Sequence, residues 1–242
     1  MRAHHLKLTT LPRAQLALWP GLAEFKDAFV LYGGTALALQ LGHRESVDYD
    51  FFSSRGFEPG ALYTGYPLLQ HAEILQSSPN TLTLIKPGTF GDVKLSFFGG
   101  LDLRRVGEPA VSPDNGLRIA SVLDLAGTKV KVLQDRAELK DYLDIVAILK
   151  QGISLTDAVR AAMTIYGSVF NPMISLKALT YFEDGDVGAL GAADRDVLET
   201  AVAGVDIRTL APLPDSGAPF DADGRRPAQA GSPQAGAPGL KR

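Results

Sequence analysis

Two aspartates set two apart, Asp48 and Asp50, follow the pair Gly33-Gly34 in the stretch LYGGTALALQLGHRESVDYDFF. On a strand both carboxylates project from one face. Two carboxylates on one face suit a Mg2+ ion that bridges to a triphosphate. The adjacent glycines let the backbone turn sharply and bring its N–H groups close to a bound group. A helix starting at Thr35 adds free N–H donors and a partial positive charge, both of which favour phosphate. The Thr35 hydroxyl is a further donor. In the same register Val47, Tyr49 and Phe51 face the core while the acids face a cleft. Arg44, between helix and strand, is placed to pair with Asp48 or with a phosphate. His43 reads as a structural loop residue. Each feature alone is common; this order and spacing is far more specific.

The elements that position these residues can be read from the hydrophobic pattern. Leu16, Trp19, Leu22 and Phe25 fall at helical spacing, with Pro20 bending or splitting the segment. Phe29 to Tyr32 is a short β-prone run ended by the glycine pair, so it reads as a buried strand. Thr35 to Leu41 is apolar nearly all round and reads as a buried helix, ended by Gly42. Val47 to Phe52 is the strand that carries the aspartates. Residues 53–80 stay open between helix and strand. Thr81 to Ile85 and Val93 to Phe98 read as strands joined through Lys86-Pro87-Gly88. Helices are expected from Ile119 to about Leu133, from about Leu139 to Leu149, from Ser154 through Tyr166, at Pro172–Phe182 and at Asp194–Val202. Ser154 and Asp157 have the spacing of a capping-box variant.

These residues and spacings resemble the AbiEii/AbiGii-type nucleotidyltransferase toxins, a branch of the DNA polymerase β-like nucleotidyltransferase superfamily. The likeness rests first on the hydrophobic strand, Gly33, Gly34, Asp48 and Asp50. A second part is DLAGTKVKVLQDRAELKDYLDI, through Asp124, Lys129, Arg136, Asp141 and Asp144, and a third, weaker one is SLKALTYFEDGD. The resemblance implies an α/β (α+β) fold, a nucleotidyltransferase-like mixed sheet with flanking helices, followed by a helical C-terminal half. It implies Mg2+-dependent transfer of a nucleotide from an NTP, in some relatives onto the 3′ end of tRNA. It also implies a toxin neutralised by an antitoxin protein encoded beside it. Asp48 and Asp50 are then the metal ligands and, with Lys129 and Asp144, the catalytic set. Gly33, Gly34, Thr35, Arg44 and Arg136 are the nucleotide-binding set. Lys129 would offset charge developing on the transferred group.

The alternative for Lys129, Lys131, Arg136 and Lys140 is a solvated face interleaved with Asp135 and Glu138. Lys129 and Arg136, seven apart, share a face if their helix is continuous. Asp141 and Asp144 are close enough on a helix to act together, one of them orienting Lys129 or holding a hydroxyl. Asp144 has the more apolar neighbours. The superfamily usually places a third acid on a later strand, but Val93 to Phe98 offers only Lys94 and Ser96 on one face. Asp92 lies just before that strand. Two acids define a metal–nucleotide pocket more firmly than they define turnover. Two further readings therefore stand beside the enzyme: an NTP-binding protein of this fold, and a phosphotransferase acting on a protein.

Composition sets outer limits. The chain has 242 residues, 45% hydrophobic and 21% charged, enough for a folded body with a large core. A net charge of −3 argues against coating nucleic acid by bulk charge, and leaves room for a local basic groove. With no cysteine there are no disulfides or thiolate metal sites, and the four histidines lack zinc-ligand spacing. No run approaches the ~18–20 apolar residues of a membrane span. The expected location is cytoplasmic, without a membrane partner. Three regions are expected: an α/β core over 1–112, a helical region over 113–210 and a disordered tail over 211–242. In the tail 18 of 32 residues are Pro, Gly or Ala, too few apolar side chains to offset ordering entropy.

Overall fold

The computed structural model describes residues 6–215 and 219–221. Helix α1 (Arg13–Leu18) gives way at Trp19-Pro20 to 3-10 turns, where Pro20 cannot continue the α-helical bonding. Those turns bury Trp19, Leu22 and Phe25, whereas Leu16 stays largely exposed. Strand β1 (Val30–Tyr32) is buried throughout and runs into α2 (Gly33–Leu41). The helix begins two residues before Thr35, and the chain turns into it at Gly33, whose φ of +73° an L side chain rarely accepts. Gly42, also left-handed, ends it. Strand β2 (Asp48–Phe52) alternates buried and half-buried residues, the signature of one core face and one open face.

The open stretch resolves into a short helix α3 (Pro59–Gly65), a 3-10 turn and strand β3 (Glu73–Ser78). Strands β4 (Thr81–Lys86) and β5 (Val93–Phe98) follow, as their alternation predicts. Two short strands, β6 (Ala110–Val111) and β7 (Arg118–Ile119), complete a seven-stranded sheet of order β3-β4-β5-β2-β1-β7-β6. The sheet is mixed: β2 runs parallel to β5 and β1 to β7, and the other neighbours are antiparallel. Arg118–Ile119 corrects the expected helix from Ile119. Ile119 pairs beside Leu31, and α4 (Val122–Val132) starts only after Ser121, whose hydroxyl accepts the Asp124 N–H.

Four helices follow: α5 (Leu139–Lys150), α6 (Leu155–Tyr166), α7 (Pro172–Ala178) and α8 (Ala192–Ala203). Ser154 caps α6 as its spacing predicts, accepting the Asp157 N–H at 3.0 Å and donating to the Asp157 carboxylate at 2.8 Å. α7 stops at Ala178, short of the expected Phe182. The expected boundary at 112/113 falls inside the sheet, between β6 and β7. A continuous apolar core runs from Phe25, Phe51 and Phe97 to Leu37, Ile145 and Leu198, so the helical region packs on the sheet.

Most of the expected disordered tail lies outside the described residues, and the described part departs from that expectation. The Arg160 Nε donates to the Ala211 carbonyl at 2.9 Å, and Phe220 is fully buried, edge-on to Tyr32. A single aromatic ring finding a pocket outweighs the surrounding composition. Among the described residues no helix is long and apolar enough to cross a membrane.

Candidate active site

A cavity of about 490 Å³ opens where β1, β2 and β5 meet α2 and α4, within the range typical of small-molecule sites. Asp48, Asp50, Gly33, Gly34, Arg44, Lys94, Lys129 and Arg136 all line it. Alternation along β2 turns both aspartates to the cavity and buries Tyr49 and Phe51 behind them. Val47 breaks the expected pattern. It is 56% exposed and lines the cavity, because regular pairing begins only at Asp48.

Gly33 matters by what it lacks. A Cβ at this position would overlap the Asp50 carboxylate, so only glycine lets β2's acid sit directly against the α2 turn. Gly34 likewise leaves room for the Arg44 guanidinium. The first turn of α2 has no side-chain cap, and its N–H groups and dipole are available there for an anion. Thr35 sits elsewhere than expected. Its hydroxyl is buried, within hydrogen-bond reach of Ser46 Oγ at 2.8 Å and donating to the Asp48 carbonyl. It anchors the start of β2 and so positions Asp48, and its side chain does not line the cavity.

The two cleft acids lack strong cationic partners. Burial and then the Asp48 charge raise the Asp50 pKa above the ordinary carboxylate value, against the weaker pull of Lys94, Lys129 and Arg136. Lys94, in register with Asp48 on β5, approaches its Oδ2 at 3.7 Å with both side chains well exposed. The position where a third carboxylate would sit thus holds an ammonium group. Ser96, in register with Asp50, is the other candidate on that face, and Asp92 is exposed before the strand begins. Among the described residues no cluster of three acidic or histidine side chains is placed to hold a metal. Two carboxylates with excess negative charge do fit one Mg2+ that takes its remaining ligands from a triphosphate and water.

A second set of charges lies beside them. Lys129 Nζ stands 2.7 Å from Asp141 Oδ1 and 2.6 Å from Asp144 Oδ2, with all three residues buried. Arg44 grips Asp144 through Nε at 2.6 Å and Nη2 at 2.9 Å, and His43 Nε2 lies 2.7 Å from the same carboxylate. Arg136 Nε donates to Asp141 at 2.9 Å. Burial alone would raise the Asp144 pKa. Hydrogen bonds from His43 and Arg44, with the Lys129 charge, instead hold it well below the usual carboxylate range.

This network revises several expectations. Arg44 pairs with Asp144, on α5 and a hundred residues away, rather than with Asp48. Lys129 and Arg136 do not share a continuous helix, since α4 ends at Val132. They converge because both reach Asp141. The solvated-face alternative fails for Lys129, which is 5% exposed, and describes Lys131 better, paired with Asp135 at 2.8 Å. Asp141 is as buried as Asp144 and shares its role of holding Lys129. Four aromatic residues also line the cavity: Tyr32, Phe52, Phe98 and Tyr166. Sequence reasoning passed over them, although Phe52 continues the alternation of Asp48 and Asp50.

A cleft that joins a glycine turn, a strand-borne acid pair and a basic wall on a mixed sheet defines the nucleotidyltransferase class of enzymes. Comparison with known proteins narrows this. The family model described as "Nucleotidyl transferase AbiEii toxin, Type IV TA system" matches residues 18–66, the segment holding the glycine pair and both aspartates. An uncharacterized protein of Aquifex aeolicus is 31% identical over 159 residues, covering 64% of this chain and 74% of that protein. Among solved structures, MenT4, a nucleotidyltransferase toxin from Mycobacterium tuberculosis, shares the fold with a TM-score of 0.56 at 15% identity, over 80% of this chain and 84% of that one. An H. pylori crystal structure assigned to the nucleotidyltransferases gives 0.52 at 17% identity, over 78% and 91%. Over residues 18–66 the chain thus matches the AbiEii nucleotidyltransferase toxins of type IV toxin–antitoxin systems, and the solved neighbours share its fold.

Proposed function

We propose that this enzyme transfers a nucleoside monophosphate from an NTP to an acceptor hydroxyl, with Asp48 and Asp50 holding one Mg2+. The observation that carries this is the seating of Asp50 against Gly33, which sets the metal ligands beside the N-terminus of α2. A Mg2+ ion held by these two carboxylates would supply charge neutralisation and polarise a phosphoryl oxygen, making the phosphorus more electrophilic. Gly33 and Gly34 offer backbone donors to the phosphates. Lys129, with two of its three donors on Asp141 and Asp144, contributes a fixed positive charge close to Asp50. Arg136, half exposed and lining the cavity, is the more accessible phosphate contact. Asp144 acts through Arg44 and Lys129 and is a positioning residue rather than one that meets substrate.

The acceptor we favour is the 3′ end of an RNA such as tRNA, as the family resemblance implies; Arg136 and Lys140, about half exposed at the cleft, are the cations best placed to meet its phosphates. The match to the AbiEii toxins over residues 18–66 supports a toxin acting in the cytoplasm and relieved by a cognate antitoxin protein. Incubation with total RNA, Mg2+ and NTP labelled at the α- or γ-phosphate tests the reaction. Label from the α position should enter RNA, and Asp48→Asn should abolish it. Transfer of the γ label to protein would instead establish a phosphotransferase. Lys94 beside Asp48 favours one alternative, saturable NTP binding with no transfer of either label.

A further inference from the structure

The cleft floor changes character along its length. β2 and β5 run parallel in register, with Asp48 beside Lys94, Asp50 beside Ser96 and Phe52 beside Phe98. Period-two alternation places all six on one side of the sheet. From the first pair to the third is about 13 Å at ~3.3 Å per residue, from a charged end to an aromatic one. On the opposite face Phe51 and Phe97 stack with centroids 5.0 Å apart and are fully buried in the core. Phe52 and Phe98 stay half-buried and line the cavity, on the cleft side of the sheet rather than the core side.

The rings around them form a built surface. Tyr32 lies flat on Phe52, 4.6 Å between centroids and 9° between planes, and Phe98 meets Phe52 edge-on at 5.5 Å and 82°. Tyr166, the last residue of α6, lines the cavity from the helical wall. Beyond Tyr32 the floor is closed by the segment 219–221. Phe220 stands edge-on to Tyr32, the Asp221 carboxylate accepts the Ser54 N–H at 2.7 Å, and Arg118 donates to the Asp221 carbonyl. The metal ligands and the phosphate-facing turn make no use of this aromatic end.

Resting on the reading of the cleft as a nucleotide site, we propose that Phe52 and Phe98 are the stacking floor for the base of the bound NTP. The triphosphate lies at the Asp48–Asp50 end. Stacking on aromatic side chains suits any base, because each presents a π-face.

Calorimetric binding of α,β-methylene-ATP and of inorganic tripolyphosphate, each with Mg2+, separates the two ends. Phe52→Leu should weaken the nucleotide analogue about tenfold and leave tripolyphosphate within twofold of wild type. Phe98→Tyr, which keeps the ring, should bind both as wild type does. Should Phe52→Leu not fold, Phe98→Leu carries the same expectation. Loss of both ligands in equal measure, or of neither, overturns the stacking floor. Wild-type protein that binds neither ligand removes the nucleotide-site reading and this inference with it. A wild-type protein that binds both equally well removes this inference alone.

Discussion

The molecule carries two acid pairs, and their surroundings are opposite. Asp48 and Asp50 sit on one strand face at an open cleft, with a single cation, Lys94, at 3.7 Å. Asp141 and Asp144 sit three apart on α5, sealed from water and gripped by Lys129, Arg44, Arg136 and His43. One pair has its charge uncompensated, and burial with mutual repulsion raises the Asp50 pKa. In the other, the Asp144 pKa is held low. The first is left ready for an external cation; the second already has its cations built in. The proposed function uses the imbalance, and the fold bears the cost of keeping it beside a balanced network.

The largest expected effect comes from neutralising the unbalanced pair. Asp50→Asn should lower nucleotide transfer by about a thousandfold or more, since it removes one of the two proposed metal ligands. Its melting temperature should be no lower than wild type. The folded protein favours the protonated Asp50, so ionisation at neutral pH opposes folding, and a neutral amide relieves that. A melting temperature several degrees lower would mean that Asp50 is part of the structural network after all.

Asp144→Asn should do the reverse. Removing one partner of a buried ion network leaves Lys129 and Arg44 undercompensated, and the expected loss of stability is about 3–5 kcal/mol. Denaturant unfolding measures it directly. The pH dependence has a defined sign. A carboxylate whose folded pKa is depressed contributes stability that is present above its unfolded value of about 3.9 and is lost as pH falls below it. The wild type should therefore lose stability more steeply than Asp144→Asn below about pH 4. Parallel pH profiles for the two proteins would contradict the assignment.

The two pairs also differ in how far the sequence revealed them. The cleft pair was legible because it depends on local rules: a glycine turn, a period of two and residues 33 to 52. The helical pair was visible only as a motif. That Arg44 belongs to Asp144 could not be read, since a separation of a hundred residues is closed by tertiary packing alone. Thr35 misled for a related reason, as its nearest partners come from the far side of the Gly42 turn. β7 was too short for any periodicity, and β3 is exposed at all six positions, so neither announced itself. Phe220 was hidden by composition. It packs in edge geometry with Tyr32, a tertiary contact that no count of Pro, Gly and Ala discloses.

Gly33→Ala perturbs the cleft pair through the backbone. A side chain at a φ of +73° costs about 1–2 kcal/mol, and the new methyl group displaces the Asp50 carboxylate it would overlap. A modest loss of stability with a disproportionate fall in transfer is the expected outcome, read from unfolding and label-transfer assays on the same preparation. Equal losses in Gly33→Ala and Gly152→Ala would weaken the special role of the α2 turn. Gly152 shares a positive φ of +90°, yet a Cβ there meets nothing within 4 Å.

The smallest expected change in stability comes at Lys94, where the two pairs can be made to differ further. Its contact with Asp48 is long and exposed, a geometry worth about 0–1 kcal/mol. Losing that contact costs little, and without metal K94D should lower the unfolding midpoint only slightly, through repulsion from Asp48 and Asp50. It should nevertheless alter the cleft, because it sets a third carboxylate in register with Asp48 on the neighbouring strand. With three acids on one face the site gains a ligand and loses a competing ammonium. Mn2+ binding, followed by electron paramagnetic resonance, should tighten several-fold or gain a second equivalent. Unchanged Mn2+ binding would show that the residue 94 side chain does not reach the metal, and that the absence of a third acid does not limit this site.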